Sequence, residues 1–241
     1  MGNWMCGHLG KNSPVETLTC EIVKPQVEHK STLVFLHGLG DTGRNWSQQL
    51  KKIVPPHCEI ICPNAKPIEV SINQNAIMPA WFDIYGLSVE SPQDEKGIAK
   101  VAEQVSQLIK TEVETCGIPL NRIVLGGFSQ GGSAALFTGI TASSLRGLAG
   151  VMIFSSWLPL AQQIAADNAR IHADRTLPIL QCHGGADPLV PYPIGSLTNT
   201  LLRNNFSFTN IELHKIEELG HGCNEEEMLL AQNFLQKHLD S

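Results

Sequence analysis

Residues 123–137 read IVLGGFSQGGSAALF, and this stretch decides the fold. The apolar run at 123–125 predicts a buried strand, and the run at 133–137 is compatible with a helix. Between them lies a Gly-x-Ser-x-Gly motif centred on Ser129. On a sharp strand-to-helix turn, glycines relieve crowding and the serine hydroxyl projects above the sheet. The pattern predicts that Ser129 is a nucleophile, with an ordinary glycine turn as the alternative.

A serine nucleophile on such a turn requires an acid and then a histidine later in the chain, near strand ends. Four of the histidines after Ser129 precede a predicted strand, lie on one or lie on a helix: His172, His183, His214 and His238. His221 instead lies between a strand-like segment at 210–216 and an acidic helix start at 224–227. This position predicts that His221 is the general base.

The candidate acid lies in the segment 180–191, which predicts a buried strand that runs into a glycine- and proline-rich loop. Asp187 is the one carboxylate in that loop. It can hold the imidazole of His221 in one tautomer and stabilise the imidazolium. The rival, Asp174, precedes the strand, and the alternative for Asp187 is a turn-forming role before Pro188. We predict that Asp187 orients His221.

Two backbone amides are candidate donors to a tetrahedral oxyanion. One is the amide of Gln130, which follows the nucleophile, and the other is expected in the loop at 37–40 after an apolar strand at 33–36. We favour Leu39 in that loop. An ordinary glycine turn is the alternative, and His37 receives no chemical role.

Several blocks of this chain resemble the acyl-protein thioesterase and lysophospholipase family of small serine hydrolases. The resemblance runs from about Leu33 onward, and its blocks are LHGLGDTG (36–43), MPAWFD (78–83), RIVLGGFSQGG (122–132), SWLPL (156–160) and DPLVP (187–191). It implies an α/β-hydrolase fold. The site residues that it implies are a triad of Ser129, Asp187 and His221 with oxyanion donors at Leu39 and Gln130. These match the residues chosen from spacing and context.

The resemblance also implies a substrate, namely long-chain acyl thioesters on S-palmitoylated proteins, with lysophospholipids and small esters as lesser substrates. Apolar side chains expected beside the turn are candidates for an acyl channel: Ile77, Met78, Trp81, Trp157 and Leu189. Each buried methylene contributes about 0.8 kcal/mol, so a long channel would favour long chains. Core packing is the alternative for these residues. The chemistry requires no cofactor.

Two other classes of protein stay open at this stage. One is a lysophospholipase or carboxylesterase whose main substrate is a small ester. The other is a non-catalytic lipid-binding protein that retains the fold, which the complete set of Ser129, Asp187 and His221 disfavours. The chain also departs from the family at Gly222-Cys223, where small hydroxylated residues are common. Because of this departure, the sequence does not predict how mobile the His221 loop is.

The length of 241 residues fits one α/β domain. Apolar runs predict parallel strands in a sheet with helices on both faces and no large lid domain; they lie at 33–36, 123–125, 151–154 and 179–180. Helices are predicted at 97–114 and 229–239. Alternation at Ile68, Val70 and Ile72 predicts an extended excursion over the sheet. We expect a flexible tail at 1–16 and the hydrolase domain at 17–241.

The composition of the chain restricts the classes of partner and the cellular compartment that we expect for it. The net charge of −6 and the sparse, mixed charges disfavour nucleic acid. Seven cysteines without a CxxC pair, and no apolar signal segment, predict a reduced cytoplasmic location. Cys58 and Cys62 beside His57 flank a strand-like segment, so no metal is expected there. The oligomeric state is not predicted.

The amino terminus, MGNWMCG, suggests lipidation that would add reversible membrane contact. Gly2 is a candidate for myristoylation and Cys6 for palmitoylation, although Cys6 stands where the myristoylation pattern has Ser or Thr. Met5-Cys6-Gly7 resembles the usual start of the family. One lipid chain binds membranes weakly, whereas two bind stably. The alternative is an unmodified, disordered tail.

Overall fold

The computed structural model describes residues 15–88 and 90–240 of the chain. This part contains nine strands and six α-helices. The strands are β1 (Thr19–Val23), β2 (Ser31–Leu36), β3 (Cys58–Asn64), β4 (Pro67–Val70), β5 (Ala76–Pro79), β6 (Ile123–Phe128), β7 (Gly150–Phe154), β8 (Ile179–Gly184) and β9 (Ile211–Ile216). The helices are α1 (Gly43–Leu50), α2 (Glu95–Cys116), α3 (Gln130–Thr141), α4 (Ala161–Ala166), α5 (Tyr192–Thr200) and α6 (Glu225–Leu239).

The central sheet of the described part has seven strands in the order β1-β3-β2-β6-β7-β8-β9. The strand β1 pairs antiparallel with β3, and the other neighbours are parallel. All the predicted parallel strands lie in this sheet, so the prediction of a mostly parallel sheet is confirmed. The carboxyl ends of the parallel strands share one edge, and ligands of such sheets bind there.

Helices cover both faces of the sheet, as predicted, because successive side chains of a strand point to opposite faces. In β2, Leu33 and Phe35 pack in the same core as Trp46 of α1 and Phe234 of α6. The other face of the same strand joins a second core, whose members come mainly from α2, α3 and the segments around α4: among them are Val34, Leu36, Ile98, Val105, Leu136, Ile140 and Ile164.

The longest helix, α2, exceeds the predicted span of 97–114 by two residues at each end. Its N-cap is Asp94, whose side chain accepts a hydrogen bond from the Gly97 N–H at 2.9 Å, satisfying an amide without an intrahelical acceptor. The helix ends at Gly117, which adopts a left-handed φ of 71°. Among the described residues, no helix combines the length and the apolar character needed to span a bilayer.

The excursion between β3 and α2 forms a separate antiparallel hairpin of β4 and β5. Ile68 and Val70 lie on β4 as predicted, but Ile72 lies in a short 3₁₀ turn, which corrects the predicted alternation. The chain reverses direction here through Gln74 and Asn75, both with φ of 58°, so the extended conformation cannot continue.

The predicted tail at 1–16 lies almost wholly outside the described residues. Its last residue, Glu16, is an exception, because its carboxylate forms ion pairs with Lys66 and Lys100. The two lipidation candidates, Gly2 and Cys6, lie outside the described residues.

Candidate active site

Ser129 lies at the carboxyl edge of the sheet, directly between β6 and α3. Its backbone has φ 52° and ψ −121°, a conformation that L residues rarely adopt. A Cβ atom on Gly127 would lie 2.4 Å from the carbonyl carbon of Gly131, and one on Gly131 would lie 2.3 Å from the Leu36 oxygen. The two glycines of the motif are therefore required by backbone crowding at this turn.

Four hydrogen bonds to the backbone of Ser129 hold it in this conformation, and one of them runs from the Ser133 hydroxyl to its carbonyl at 3.2 Å. Its N–H donates to the Phe154 oxygen at 2.8 Å, and its own carbonyl accepts from the Ser133 N–H at 3.0 Å. The Ser156 hydroxyl donates to the same carbonyl at 2.8 Å. Strain of this kind persists only where the surroundings determine the conformation. Ser156 begins the SWLPL block of the resemblance, but nothing in that block predicts a hydrogen bond to Ser129.

The three predicted residues of the triad come together at this edge. The Nε2 atom of His221 lies 2.9 Å from the Ser129 Oγ, and its Nδ1 lies 2.8 Å from the Asp187 Oδ2. Asp187 is completely buried at its side chain, and its Oδ1 accepts from the Leu189 and Val190 amides at 2.9 Å each. An ionised Asp187 favours the tautomer with a proton on Nδ1, which leaves Nε2 to accept the serine proton.

Two rival candidates, Asp174 and His183, form no hydrogen bond with Ser129 within the described residues, although the His183 Nε2 lies 3.7 Å from the Asp187 Oδ2. Asp174 is exposed and pairs with Arg146 at 2.7 Å. His183 is fully buried, and its Nε2 donates to the Val190 oxygen at 2.7 Å, so it supports the loop that carries Asp187. Burial lowers the pKa of the His183 imidazole. The His183 imidazole is therefore neutral, and its hydrogen bond to Val190 holds the loop that carries Asp187.

The predicted oxyanion donors flank the serine from two elements. Within residues 15–88 and 90–240, neither the Leu39 nor the Gln130 amide N–H has a protein acceptor. The Gln130 side chain links the turn to the chain after β5, because its Oε1 accepts from the Trp81 N–H at 3.0 Å and its Nε2 donates to the Phe82 oxygen at 2.6 Å. Two unpaired amides beside a nucleophile can stabilise a developing oxyanion.

His37, which had no assigned role, holds the loop that carries Leu39. Its Nε2 accepts from the Ala65 N–H at 3.0 Å, so its Nδ1 carries the proton and donates to the Gly38 oxygen at 2.7 Å. The Trp81 indole N–H donates to the His37 oxygen at 2.8 Å. Burial lowers the pKa of His37, which keeps this imidazole neutral.

An apolar cavity of about 300 Å³ lies between residues 82–88 and 92–94 on one side and the helices α4 and α5 on the other. Its walls include Phe82, Trp157, Val190 and Leu201. Three of these walls adjoin the site directly, since the Phe82 carbonyl bonds Gln130, the Val190 amide bonds Asp187 and Trp157 follows Ser156. The size and character are those of a small-molecule pocket.

Of the five residues predicted to line an acyl channel, Trp157 alone lines this cavity. Ile77 and Leu189 are exposed by 71% and 58%, and Met78 is half-buried on β5. Trp81 is buried in the core, where the His37 carbonyl satisfies its indole N–H. The other walls of this cavity come from 82–88, 92–94 and two helices, so these four residues do not line it, and their role in an acyl channel stays a prediction.

The comparisons with known proteins agree with the fold. A family model described as phospholipase/carboxylesterase matches residues 18–239. The chain belongs to this family. The acyl-protein thioesterase 1 of Mycosarcoma maydis is 36% identical over 232 residues, which cover 90% of this chain and 95% of that protein. The acyl-protein thioesterase 1 of Schizosaccharomyces pombe is also 36% identical, covering 93% and 98%.

Among solved structures, the acyl-protein thioesterase 2 of Zea mays superposes on this chain with a TM-score of 0.80. The two chains are 34% identical, and the match covers 91% of this chain and 98% of that one. The resemblance predicted from the sequence and the single-domain α/β-hydrolase fold are thus confirmed. The protein is a hydrolase of this family.

Cys58 and Cys62 lie on β3, directly after His57, and the sequence predicts no metal at these three residues. Both cysteines are buried free thiols, and burial raises the pKa of Cys58 to about 12. His57 instead bonds the Ser31 hydroxyl and the Asp240 carboxylate. These side chains therefore serve packing and hydrogen bonding.

A buried carboxylate lies in the first turn of α6, six residues after His221. Glu227 is fully buried, and neither of its carboxylate oxygens has a hydrogen-bond partner among the described residues. Its burial raises its pKa from 4.5 to about 7, although the nearby Cys223 thiol acts in the opposite direction. Glu227 was not predicted, because an acidic helix start normally indicates solvent exposure.

We predict that His37→Leu lowers kcat on a small ester about ten- to a hundredfold with little change in KM. The substitution leaves the Ala65 N–H and the Gly38 carbonyl unpaired, so the Leu39 amide shifts; losing one oxyanion donor entirely costs about 10²- to 10³-fold. Steady-state kinetics and urea unfolding measure the effect. His172→Asn, at an exposed position, is the control. Unchanged kcat in a folded His37→Leu protein would contradict this role.

We also predict a pH-dependent stability difference between the wild type and Glu227→Gln. The folded-state pKa of Glu227 is raised, so its protonated form stabilises the fold fully below pH 4.5, and this contribution is lost as the pH rises through about 7. Glutamine has the same shape and does not titrate. The stability of Glu227→Gln relative to the wild type should therefore increase between pH 4.5 and 7 and stay constant above it. Urea unfolding across this range measures it, and a flat difference would contradict the assignment.

Proposed function

We propose that this protein hydrolyses long-chain acyl thioesters on S-acylated proteins through an acyl-enzyme at Ser129. The observation that carries the proposal is the hydrogen-bonded chain from Ser129 through His221 to Asp187, beside an apolar cavity. The names of its relatives in two fungi and in maize support the substrate class. The substrates are then S-palmitoylated proteins.

In the first half of the proposed reaction, the Ser129 hydroxyl attacks the thioester carbonyl carbon while His221 Nε2 takes its proton. The carbonyl oxygen becomes negative and accepts hydrogen bonds from the Leu39 and Gln130 amides. Asp187 stabilises the imidazolium without taking the proton. The C–S bond then breaks, and the cysteine sulfur leaves with the proton that His221 returns.

In the second half, water attacks the acyl-enzyme. His221 now removes a proton from the water, and the same two amides bind the second oxyanion. The bond from the acyl carbon to the Ser129 oxygen breaks, and His221 protonates that oxygen. The products are a fatty acid and the free enzyme, so the cycle needs no cofactor.

The apolar cavity supports a long acyl chain as the substrate. Each methylene that leaves water for such a cavity contributes about 0.8 kcal/mol, so several buried methylenes outweigh one hydrogen bond. Two wall residues bond the site directly, since the Phe82 carbonyl accepts from the Gln130 side chain and the Val190 amide donates to Asp187. A third, Trp157, follows Ser156, whose hydroxyl donates to the Ser129 carbonyl. A chain bound there would hold its carbonyl group beside the nucleophile.

The second candidate function is that of a lysophospholipase or small-ester carboxylesterase. The matched family description favours it, and the same cavity would accept the acyl chain of a lysolipid. A non-catalytic lipid-binding protein is disfavoured, because the 2.9 Å and 2.8 Å bonds of His221 align a complete proton path. The two hydrolase alternatives differ in their leaving groups and are separated by kinetics.

We further propose a cytoplasmic enzyme that meets its substrates by reversible membrane contact. Acylation of Gly2 and Cys6, which lie outside the described residues, would supply two lipid chains, the number that stable anchoring requires. The intact mass of the protein from its native cells tests this point, and an unmodified amino terminus would contradict it.

The main experiment compares three substrates with the wild type and Ser129→Ala: a palmitoyl-cysteine peptide, an octanoyl-cysteine peptide and a lysophospholipid. We expect the highest kcat/KM on the palmitoyl peptide. Ser129→Ala should lower it at least about 1,000-fold, because a single missing triad member removes most of the rate enhancement. Higher efficiency on the lysophospholipid would favour the second function, and activity that survives Ser129→Ala would overturn the mechanism.

A substitution at Ala161, which lines the cavity from α4, tests the acyl-binding site. We expect Ala161→Phe to displace two or three methylenes at a cost of about 2 kcal/mol, so the palmitoyl-to-octanoyl ratio of kcat/KM should fall about tenfold or more. Ala166→Phe is the matched control, since Ala166 is exposed on the same helix. An unchanged ratio in Ala161→Phe would place the chain elsewhere.

A further inference from the structure

A second group of polar side chains lies at the opposite edge of the sheet from Ser129. His29 precedes β2, while Glu112 and Cys116 lie in the last turns of α2. The ring nitrogen of His29, a carboxylate oxygen of Glu112 and the Sγ of Cys116 all lie within 4.8 Å of one another. The distance from the His29 Nε2 to the Glu112 Oε1 is 3.4 Å.

The local structure brings these three side chains together. Glu112 and Cys116 are four residues apart on one helix, so their side chains share a face. Thr32 on β2 joins the two elements, since its hydroxyl donates to the Glu112 Oε1 at 2.7 Å and its Oγ1 lies 3.0 Å from the His29 Nε2. The positions of two of the ligand atoms are therefore set by the sheet and the helix.

The charges of the side chains in this cluster are compatible with a bound cation. The Glu112 side chain is only 6% exposed, and within the described part of the chain its sole ion-pair partner is His29. The neighbouring buried carboxylate of Glu59 is paired with Lys24 at 2.8 Å. A buried carboxylate without a lysine or arginine partner is costly, and a bound cation would relieve that cost.

We propose that His29, Glu112 and Cys116 form a zinc site, with water as the fourth ligand. Imidazole, thiolate and carboxylate together select zinc over calcium or magnesium, which prefer oxygen ligands alone. Zinc bond lengths and tetrahedral angles place ligand atoms about 3.3–3.7 Å apart, and the His29–Glu112 distance already falls in this range. Cys116 is exposed, so rotation of its side chain closes the remaining gap.

Zinc binding here exchanges protons for metal bonds. The Cys116 S–H bond breaks, its proton passes to solvent and a Zn–S bond forms. The His29 imidazole changes tautomer, so that its proton lies on Nδ1 and Nε2 is free to bind the metal. The metal would then fasten the segment before β2 to the end of α2. Because this edge is far from Ser129, the role is structural, and it is independent of the proposed thioesterase activity.

Zinc titration of the full-length protein against a chromophoric chelator tests the site, with the wild type and Cys116→Ser compared in metal-free buffer. We expect one zinc ion per wild-type chain and a melting temperature that rises with zinc. Cys116→Ser should weaken the affinity about tenfold or more, and His29→Gln likewise. Cys116 is exposed and serine is nearly isosteric, so this variant is expected to fold.

Two controls separate the site from general zinc binding. Glu114→Gln changes an exposed carboxylate on the same helix and should leave the affinity unchanged. Cys6→Ser, which removes a thiol two residues before His8 in the sequence, should also bind zinc normally. Wild-type affinity in both Cys116→Ser and His29→Gln, or loss of binding with Cys6→Ser instead, would overturn the proposal.

Discussion

The conformation of one residue, Ser129, constrains much of the surrounding structure. A left-handed φ at a non-glycine residue is maintained only by contacts that outweigh its cost, and here they come from β7, α3 and Ser156. The same turn presses Gly131 against the backbone at the end of β2. The nucleophile and the loop at 37–40 are therefore positioned by one close contact between the first turn of α3 and the end of β2, which fixes both candidate oxyanion donors relative to the serine.

Neutral, buried polar groups complete this arrangement. His37 holds the Leu39 loop, His183 holds the Asp187 loop, and burial lowers the pKa of both imidazoles. Each loop is thus fixed by a histidine that carries no charge, so the electrostatic field at the site is left to Asp187 and the free amides. Groups that are oriented before the reaction need no reorganisation when the oxyanion forms, which is the main source of catalytic power in such sites.

Local patterns in the sequence predicted the features that depend on neighbouring residues. Apolar patterns predicted a strand at 123–125 and a helix at 97–114, and the positions of Ser129, Asp187 and His221 near predicted strand ends suggested the triad. Features that depend on contacts between residues far apart in the sequence were not predicted. The cavity walls come from separate segments, the reversal after Val70 ended the extended run before Ile72, and the burial of Glu227 depends on how α6 packs. Periodicity carries no information about these contacts.

The geometry also explains how such an enzyme would combine one acyl preference with many protein substrates. The acyl chain contributes binding energy in proportion to the methylenes buried, whereas the thioester carbonyl contacts only backbone amides. A thiol leaving group has a pKa near 8.5, so its departure demands less from His221 than an alkoxide would. Neither step requires contact with the polypeptide beyond the acylated cysteine. Selectivity would then depend on the cavity between 82–88, 92–94, α4 and α5, while Leu189 of the Asp187 loop is exposed and would face the polypeptide of the substrate.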